Sequence, residues 1–383
     1  MHIVYITPYY KPAWFYGGPP RCISEQAEIL VKEFGYTIEV VTLNQNNDKA
    51  VVDARGIHTT NQNGVTVHYM PSSCSFLNKK YFHSHNLTSF LSTLKKPDQI
   101  HIHTLFNYFS RCGMQFAVRN KIPFVITPHG MLDIYSLTRS KLVKIVHRTI
   151  WDNHLLKKAK YIHFTTIEEY ENSEIPKGCN YYIAPYLLAE PAKIKRGNYD
   201  SLQSFNLVSL GRINRKKGLD ILIRSMHIIH EYRLNVTLDI YGEDDDYCKP
   251  ELVLLAKKLG IASAISFKGK LNPDNRNQTL QQYALLILPS YQENFGLVVV
   301  EALSNGLPVI ISNKVNLCNM VLQNKCGLVC LTDKESLADR LFHYLNLTHD
   351  LKIEMSNNGM KAVAKEFAIE KIAAQYKLMY EGN

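Results

Sequence analysis

The sequence contains no run of about 20 apolar residues, which excludes a conventional membrane-spanning helix. It has no basic leader followed by an apolar core. Met1-His2-Ile3-Val4-Tyr5-Ile6-Thr7-Pro8 reads as a first strand, not a signal peptide. The expected location is cytoplasmic, with a peripheral place on the inner face of the cytoplasmic membrane left open. No C-x-x-C pair occurs. The eight cysteines (Cys22, Cys74, Cys112, Cys179, Cys248, Cys318, Cys326 and Cys330) are scattered, so reduced, mostly buried thiols are expected instead of disulfides or zinc ligands. The early G-x-G-x-x-G of a nicotinamide dehydrogenase is missing, as is the G-x-x-x-x-G-K-[ST] of a P-loop. RRM, zinc-finger and helix-turn-helix signatures are also missing, and no nucleic-acid partner is expected. Neither short repeats nor low-complexity segments occur.

What is present is a 383-residue chain with 44 Lys and Arg against 34 Asp and Glu, a formal charge of +10 that calls for an acidic partner. The length suggests two domains. Short β-branched runs at 3–6, 38–42, 65–69, 99–103, 124–127 and 161–165 alternate with helix-like stretches such as 20–34 and 109–120. A stretch without clear period, 184–204, reads as an interdomain linker. The pattern then restarts, with strands at 205–210, 236–241, 264–267, 284–288 and 308–311 and helices at 218–233, 250–259, 297–305 and 334–345. Such alternation predicts α/β domains, each a doubly wound parallel sheet, with ligands at the carboxyl ends of the strands and in the cleft between the domains.

Four motifs sit at such strand ends. Pro289-Ser290-Tyr291-Gln292-Glu293-Asn294-Phe295-Gly296-Leu297 runs from an apolar strand into a helix that carries Glu301. The free N–H groups and positive dipole end of that helix suit a phosphate. Two lone glutamates there would read better as dipole-placed acids, but the whole string weakens that reading, because Gly296 also permits close approach to the backbone. Gly211-Arg212-Ile213-Asn214-Arg215-Lys216-Lys217-Gly218 follows the first strand of the second half, where a doubly wound sheet binds anions, and a solvated basic turn is the competing reading. Thr127-Pro128-His129-Gly130-Met131-Leu132 places a histidine at a strand end of the first half, and Tyr16-Gly17-Gly18-Pro19-Pro20-Arg21 lies between its first strand and first helix.

Together these motifs resemble glycosyltransferase family 4, the group 1 glycosyltransferases of bacterial polysaccharide biosynthesis. The resemblance spans essentially the whole chain: Gly17-Gly18, Pro128-His129-Gly130-Met131-Leu132, Gly211-Arg212 with Lys217-Gly218, and Glu293-x7-Glu301. It implies a GT-B fold of two Rossmann-like domains facing across a cleft. Residues 1–190 would form the acceptor-binding domain, 191–365 the nucleotide-sugar domain, and 366–383 a helix crossing back to the first. It implies retaining transfer from a UDP- or GDP-sugar to a glycan or polyprenyl-linked glycan, with no cofactor and no metal. Arg212 and Lys217 would hold the diphosphate, Glu293 the sugar hydroxyls and Glu301 the ribose. Asn294 would stand among the donor-site residues, and the amides of Phe295, Gly296 and Leu297 would line the sugar and phosphates. His129 would sit at the reaction centre, Gly17 and Gly18 would approach the ligand, and the base would lie near Lys268-Gly269-Lys270. His129, Glu293, Arg212 and Lys217 are the residues expected to carry catalysis.

The turn Gly242-Glu243-Asp244-Asp245-Asp246 departs from the family's Gly-rich turn and is expected to be an exposed acidic turn, not a metal site. His101 and His103 share one face of a strand, but no third ligand is near in sequence, so a structural role is expected. His83 and His85 are expected in a loop. Arg139, Lys141, Lys144, Arg148, Trp151, Lys157, Lys158 and Lys160 are expected on a basic, partly amphipathic helix. Two readings of it stand: a solvated face, or contact with an anionic membrane or lipid diphosphate. A sugar-nucleotide epimerase and a non-catalytic sugar-nucleotide or glycolipid binder are the competing functions.

Overall fold

The structure, a computed structural model, describes residues 1–47, 49–73, 81–138, 141–189, 205–232, 234–272 and 275–382. Two compact units result: Met1–Ala189 together with the C-terminal helix from Ile369, and a second unit ending at Ala368.

The first unit is an eight-stranded sheet of β1 (His2–Ile6), β2 (Thr37–Leu43), β3 (His58–Gln62), β4 (Val65–Met70), β5 (Gln99–His103), β6 (Phe124–Thr127), β7 (Tyr161–Phe164) and β8 (Tyr181–Ile183), in the order β3-β4-β2-β1-β5-β6-β7-β8. All pairings are parallel except that of β3 with β4. The central strands are buried on both faces, hence their continuous apolar runs, such as Ile3–Ile6. The sequence pattern does not mark β3, because its residues are polar and lie on an exposed edge, nor β8, whose three residues are one exposed and two half-buried.

The second unit holds β9 (Phe205–Leu210), β10 (Val236–Tyr241), β11 (Ile265–Gly269), β12 (Leu285–Leu288), β13 (Val309–Ser312) and β14 (Gly327–Cys330). They form a fully parallel sheet in the order β11-β10-β9-β12-β13-β14. Chain direction across this sheet reverses between β9 and β12, the crevice where such sheets take ligands.

The linker expectation is corrected at its start. Ala184 and Leu187 are buried in the core of the first unit beside Tyr10 and Tyr376, so hydrophobic burial claims this segment for the unit. Residues 190–204 lie outside the described residues. The helix Ile369–Glu381 packs Ile372, Ala373, Tyr376, Met379 and Tyr380 into that same core. Five of the seven described cysteines are buried; Cys74 lies outside the described residues. Among the described residues no helix is long and apolar enough to cross a membrane.

Candidate functional site

In the second unit the loops after β11, β10, β9, β12 and β13 lie side by side at the carboxyl edge of the sheet, as the strand order requires. Gly211 and Gly242 end β9 and β10 and pack backbone to backbone. A Cβ on Gly242 (φ 155°) would fall 1.8 Å from the Gly211 carbonyl oxygen, so only glycine fits. After Gly211 the chain makes a 3-10 turn, Arg215–Lys217, closed by Gly218 at φ 63°. The Lys216 carbonyl accepts from the Tyr291 amide at 2.8 Å, which joins this basic turn to the loop after β12.

That joint brings Lys217 to Glu293. The Lys217 Nζ donates to Glu293 Oε2, and both side chains are largely buried. Burial alone would push the Glu293 carboxyl up; the charges of Lys217, Lys216 and Arg212 outweigh it and hold the group below the usual carboxylate range. The backbone of Glu293 is fixed from the loop after β13: its amide donates to the Lys314 carbonyl at 3.0 Å, and its carbonyl accepts from the Asn316 amide at 3.3 Å.

Three residues on, Gly296 takes a left-handed conformation (φ 79°) and caps the helix Leu297–Ser304. This helix start has no capping side chain and no acid in its first turn. Its first amides are therefore open to an anion. Around it are buried polar atoms without hydrogen-bond partners among the described residues: both ends of the Asn294 and Gln292 amides, Ser290 Oγ, Asn214 Oδ1 and Asn316 Nδ2. Buried polar groups are nearly always paired, so a cluster of orphans at one set of strand ends marks a place for a polar ligand. Of these the sequence assigns only Asn294 to the donor site; Ser290, Gln292 and Asn214 stand in the same motifs without a role, and Asn316 joins them only when three loops are folded together. Glu301, one helical turn further in, accepts from Arg276 at 2.6 Å, a contact the spacing does not reveal. Lys270 is exposed and 3.9 Å from Glu243, and Lys268 lies 3.5 Å from Asp239. Both follow from the end of β11, where the Gly269 carbonyl accepts from the Gly242 amide at 2.8 Å.

The acidic turn is not the exposed turn expected from sequence. Asp244 accepts from the amides of Cys248 and Lys249 at the start of a helix, Asp245 accepts from Arg212 at 2.8 Å, and Asp246 accepts from the Arg215 amide at 3.2 Å. The three aspartates are half-buried because they brace the basic turn. Arg212 is thus held beside the site by a carboxylate.

The other expected site residues belong to the first unit. Gly17 (φ 83°) caps the helix Gly18–Phe34 without a side-chain bond. His129 follows β6 at φ 51°, and Thr104 (φ 73°) and Phe106 (φ 59°) follow β5 beside it. Left-handed non-glycine residues gathered on adjacent strand ends mark strain held by the surrounding fold. Both ring nitrogens of His129 are engaged: Nδ1 with the Tyr186 hydroxyl at 2.7 Å and Nε2 with His103 Nδ1 at 3.1 Å. Desolvation, more than its coulombic coupling to His163, lowers its pKa to about 3.

Behind it lies a buried chain whose proton order follows from one carbonyl. Ala184 O can only accept, so His163 Nε2 donates to it at 2.8 Å. His163 Nδ1 then accepts from Thr127 Oγ1 at 2.8 Å, and Thr127 accepts from His101 Nε2 at 2.7 Å. His101 Nδ1 accepts from the Tyr380 hydroxyl at 2.6 Å, and Tyr380 accepts from Tyr5 at 2.9 Å. Desolvation depresses His101 and His103 well below the ordinary range and His163 to about 4, so these imidazoles are neutral. His101 and His103 stack at 4.1 Å. Among the described residues no group of three His, Cys, Asp or Glu is placed to hold a metal ion. His83 and His85 are in a loop, with His83 Nδ1 bonded to Ser73.

The expected basic helix runs without interruption over 141–156, with a π-turn at Arg148–Asp152 between the α-helical parts Lys141–His147 and Asn153–Leu156; Lys158 and Lys160 lie beyond its end. Its basic residues part company: Arg148 pairs with Glu174 and Lys160 donates to the Tyr380 carbonyl, while Arg139 lies outside the described residues.

Residues 193–362 match the family described as glycosyl transferases group 1, and residues 16–172 match glycosyltransferase family 4. N-acetyl-alpha-D-glucosaminyl L-malate synthase of Bacillus anthracis is 28% identical over 43% of this chain and 42% of its own. Capsular polysaccharide biosynthesis glycosyltransferase CapM of Staphylococcus aureus is 26% identical over 48% of each chain. The chain thus spans about half or less of these curated relatives. HepE from Anabaena, solved with UDP and glucose, superposes with a TM-score of 0.75 at 15% identity, covering 100% of this chain and 99% of that one. With both units matched to families of one group and the fold that of GT-B enzymes, the chain belongs to the group 1 glycosyltransferases of family 4.

Proposed function

We propose that this protein moves a sugar from a nucleoside-diphosphate sugar to a hydroxyl of a glycan or lipid-linked glycan, with retention at the anomeric carbon and without a metal ion. The observation that carries the reading is the strand-edge cluster of the second unit: Lys217 on Glu293, an uncapped helix start at Gly296, and buried amides without partners around them. A diphosphate would take the helix amides and Lys217, with Arg212 beside them. Glu293, released from Lys217, would accept from sugar hydroxyls. Glu301 would hold the ribose, and the base would lie along Gly269 and Lys270. The relatives support the same class of chemistry: one is an N-acetyl-alpha-D-glucosaminyl L-malate synthase, one a capsular polysaccharide biosynthesis glycosyltransferase, and one was solved with UDP and glucose.

In the proposed reaction the anomeric C–O bond breaks and its electron pair passes to the phosphate oxygen. The acceptor oxygen bonds to the anomeric carbon on the same face, and its proton goes to the departing phosphate. Stabilising charge on that phosphate as it forms is what Lys217, Arg212 and the helix start contribute. His129, carried by the other unit with both nitrogens already bonded, would offer a fixed neutral ring and its backbone carbonyl to the sugar.

The test is transfer from labelled UDP-, GDP- and ADP-sugars with and without a glycan acceptor, with the anomeric configuration of the product read by NMR. Lys217→Ala and Glu293→Ala should each lower transfer by about 10²–10³, with the fold retained but melting lowered, because each leaves its partner's charge unpaired. Near-normal rates in either variant, an altered sugar nucleotide formed without acceptor, or loss of activity on adding a chelator would each reject the reading. A donor at about 100 times its Kd should stabilise the protein by about 2.7 kcal/mol, which identifies the sugar nucleotide by thermal shift.

A further inference from the structure

From the helical segment 141–156 of the first unit we infer that this protein docks on an anionic lipid bilayer, with Leu142, Val143, Ile145, Val146 and Ile150 entering the headgroup layer. These five side chains are among the most exposed large apolar groups of the molecule, from 47% at Ile145 to 80% at Leu142. Their positions follow helical spacing, so Leu142 and Val146, and Val143, Val146 and Ile150, share one side. Among the described residues nothing covers that side.

The opposite side is firmly held. His147 bonds the Tyr81 hydroxyl at 2.8 Å and Asp152 at 3.3 Å, and the Arg111 guanidinium lies 4.9 Å from the Trp151 ring. Lys144 donates to the Ser136 carbonyl at 2.5 Å, which ties the neighbouring helix Ile134–Thr138 to the same surface. The segment is therefore a fixed ridge with an apolar crest. The π-turn Arg148–Asp152 re-aims the chain midway, which lets Trp151 and Asp152 stay inward while Ile150 points out.

Charge selects the occupant. From 141 to 160 the sequence has six basic residues and a single acid, Asp152, which is buried against His147. Lys141, Lys157 and Lys158 are exposed. A second copy meeting this ridge about a two-fold axis would set like charges against each other. A bilayer carrying anionic lipid matches both the apolar crest and its basic flanks. Chain length agrees, because the segment is too short to span and suited to lying in the interface. The inference deepens the proposed reading, since a lipid-linked acceptor is met at such a surface, but docking itself needs neither donor nor acceptor.

The experiment is flotation of the whole protein on sucrose gradients with vesicles of phosphatidylcholine alone or with about a third phosphatidylglycerol. The protein should float with the anionic vesicles, at least about tenfold more than with the neutral ones, and less as salt rises. The double variant Leu142→Asp, Val146→Asp should float at least about tenfold less, while its circular dichroism melt and its transfer to a water-soluble acceptor match the unsubstituted protein. Lys157→Glu with Lys158→Glu should lose the preference for anionic vesicles and keep the fold. Absence of flotation, or flotation unchanged in the aspartate variant, overturns the inference. So does sedimentation as a dimer that the aspartate variant makes monomeric, which would assign the ridge to a second copy. Because flotation is read on the protein alone, a protein that floats and transfers nothing would refute the reaction and leave the docking surface standing.

Discussion

Replacing His163 with glutamine should change the pH dependence of stability more than stability itself. In the folded protein His163 is fully buried and titrates at about 4, against about 6.5 for an unfolded imidazole. A depressed histidine leaves the unfolded chain binding more protons, so its contribution is complete above pH 6.5 and is lost as pH falls toward the folded value. Integrated from pH 8 to pH 5, this amounts to about 2 kcal/mol. The chain's two tryptophans, Trp14 and Trp151, both lie in the first unit, so urea unfolding followed by tryptophan fluorescence reports on that unit. His163→Gln should be less stable than the unsubstituted protein at pH 8 through its altered bonds to Thr127 and Ala184, and the deficit should shrink by about 2 kcal/mol at pH 5. His101 and His103, depressed in the same direction, are present in both proteins and leave the difference untouched. An equal deficit at both pH values would refute the neutral, carbonyl-anchored histidine chain.

Asn294→Leu should raise the melting temperature of the ligand-free protein, since it removes a buried amide without partners worth about 1–3 kcal/mol, and should abolish the thermal shift given by the sugar nucleotide; a lowered melting temperature with the shift retained would contradict the site. Gly242→Ala should cost more than about 3 kcal/mol or prevent folding, because its Cβ would meet the Gly211 carbonyl oxygen at 1.8 Å; a soluble protein with unchanged melting would refute the backbone contact. Tyr186→Phe removes the hydroxyl on His129 Nδ1 and should lower kcat with little change in KM for the donor; a pure KM effect would remove His129 from the reacting centre.

Much of the architecture is legible in the chain itself. Short apolar runs such as Leu285–Leu288 and Ile3–Ile6, too brief for helices, read as strands buried on both faces, and their alternation with helices points to parallel sheets. Gly211, Gly218 and Gly296 announce turns because each adopts a backbone that other residues resist. The strands the pattern leaves unmarked, β3, β8 and β14, are all sheet edges: exposure removes the hydrophobic signal at β3 and β8, and β14 is a four-residue strand that opens on a glycine.

What local sequence determined was thus the kind and order of elements, the turns, and which strand ends carry charge. Who meets whom was decided only by the tertiary structure. Lys217 reaches Glu293 across 76 positions because β9 and β12 are neighbours in the sheet, and Asp245 braces Arg212 because β10 lies on the other side. The same is true of the orphaned amides of Gln292 and Asn214, the carbonyl that orients His163, and the uncovered crest at Leu142. Pairing, burial and solvation depend on neighbours distant in sequence, and no periodicity along one chain encodes those distances.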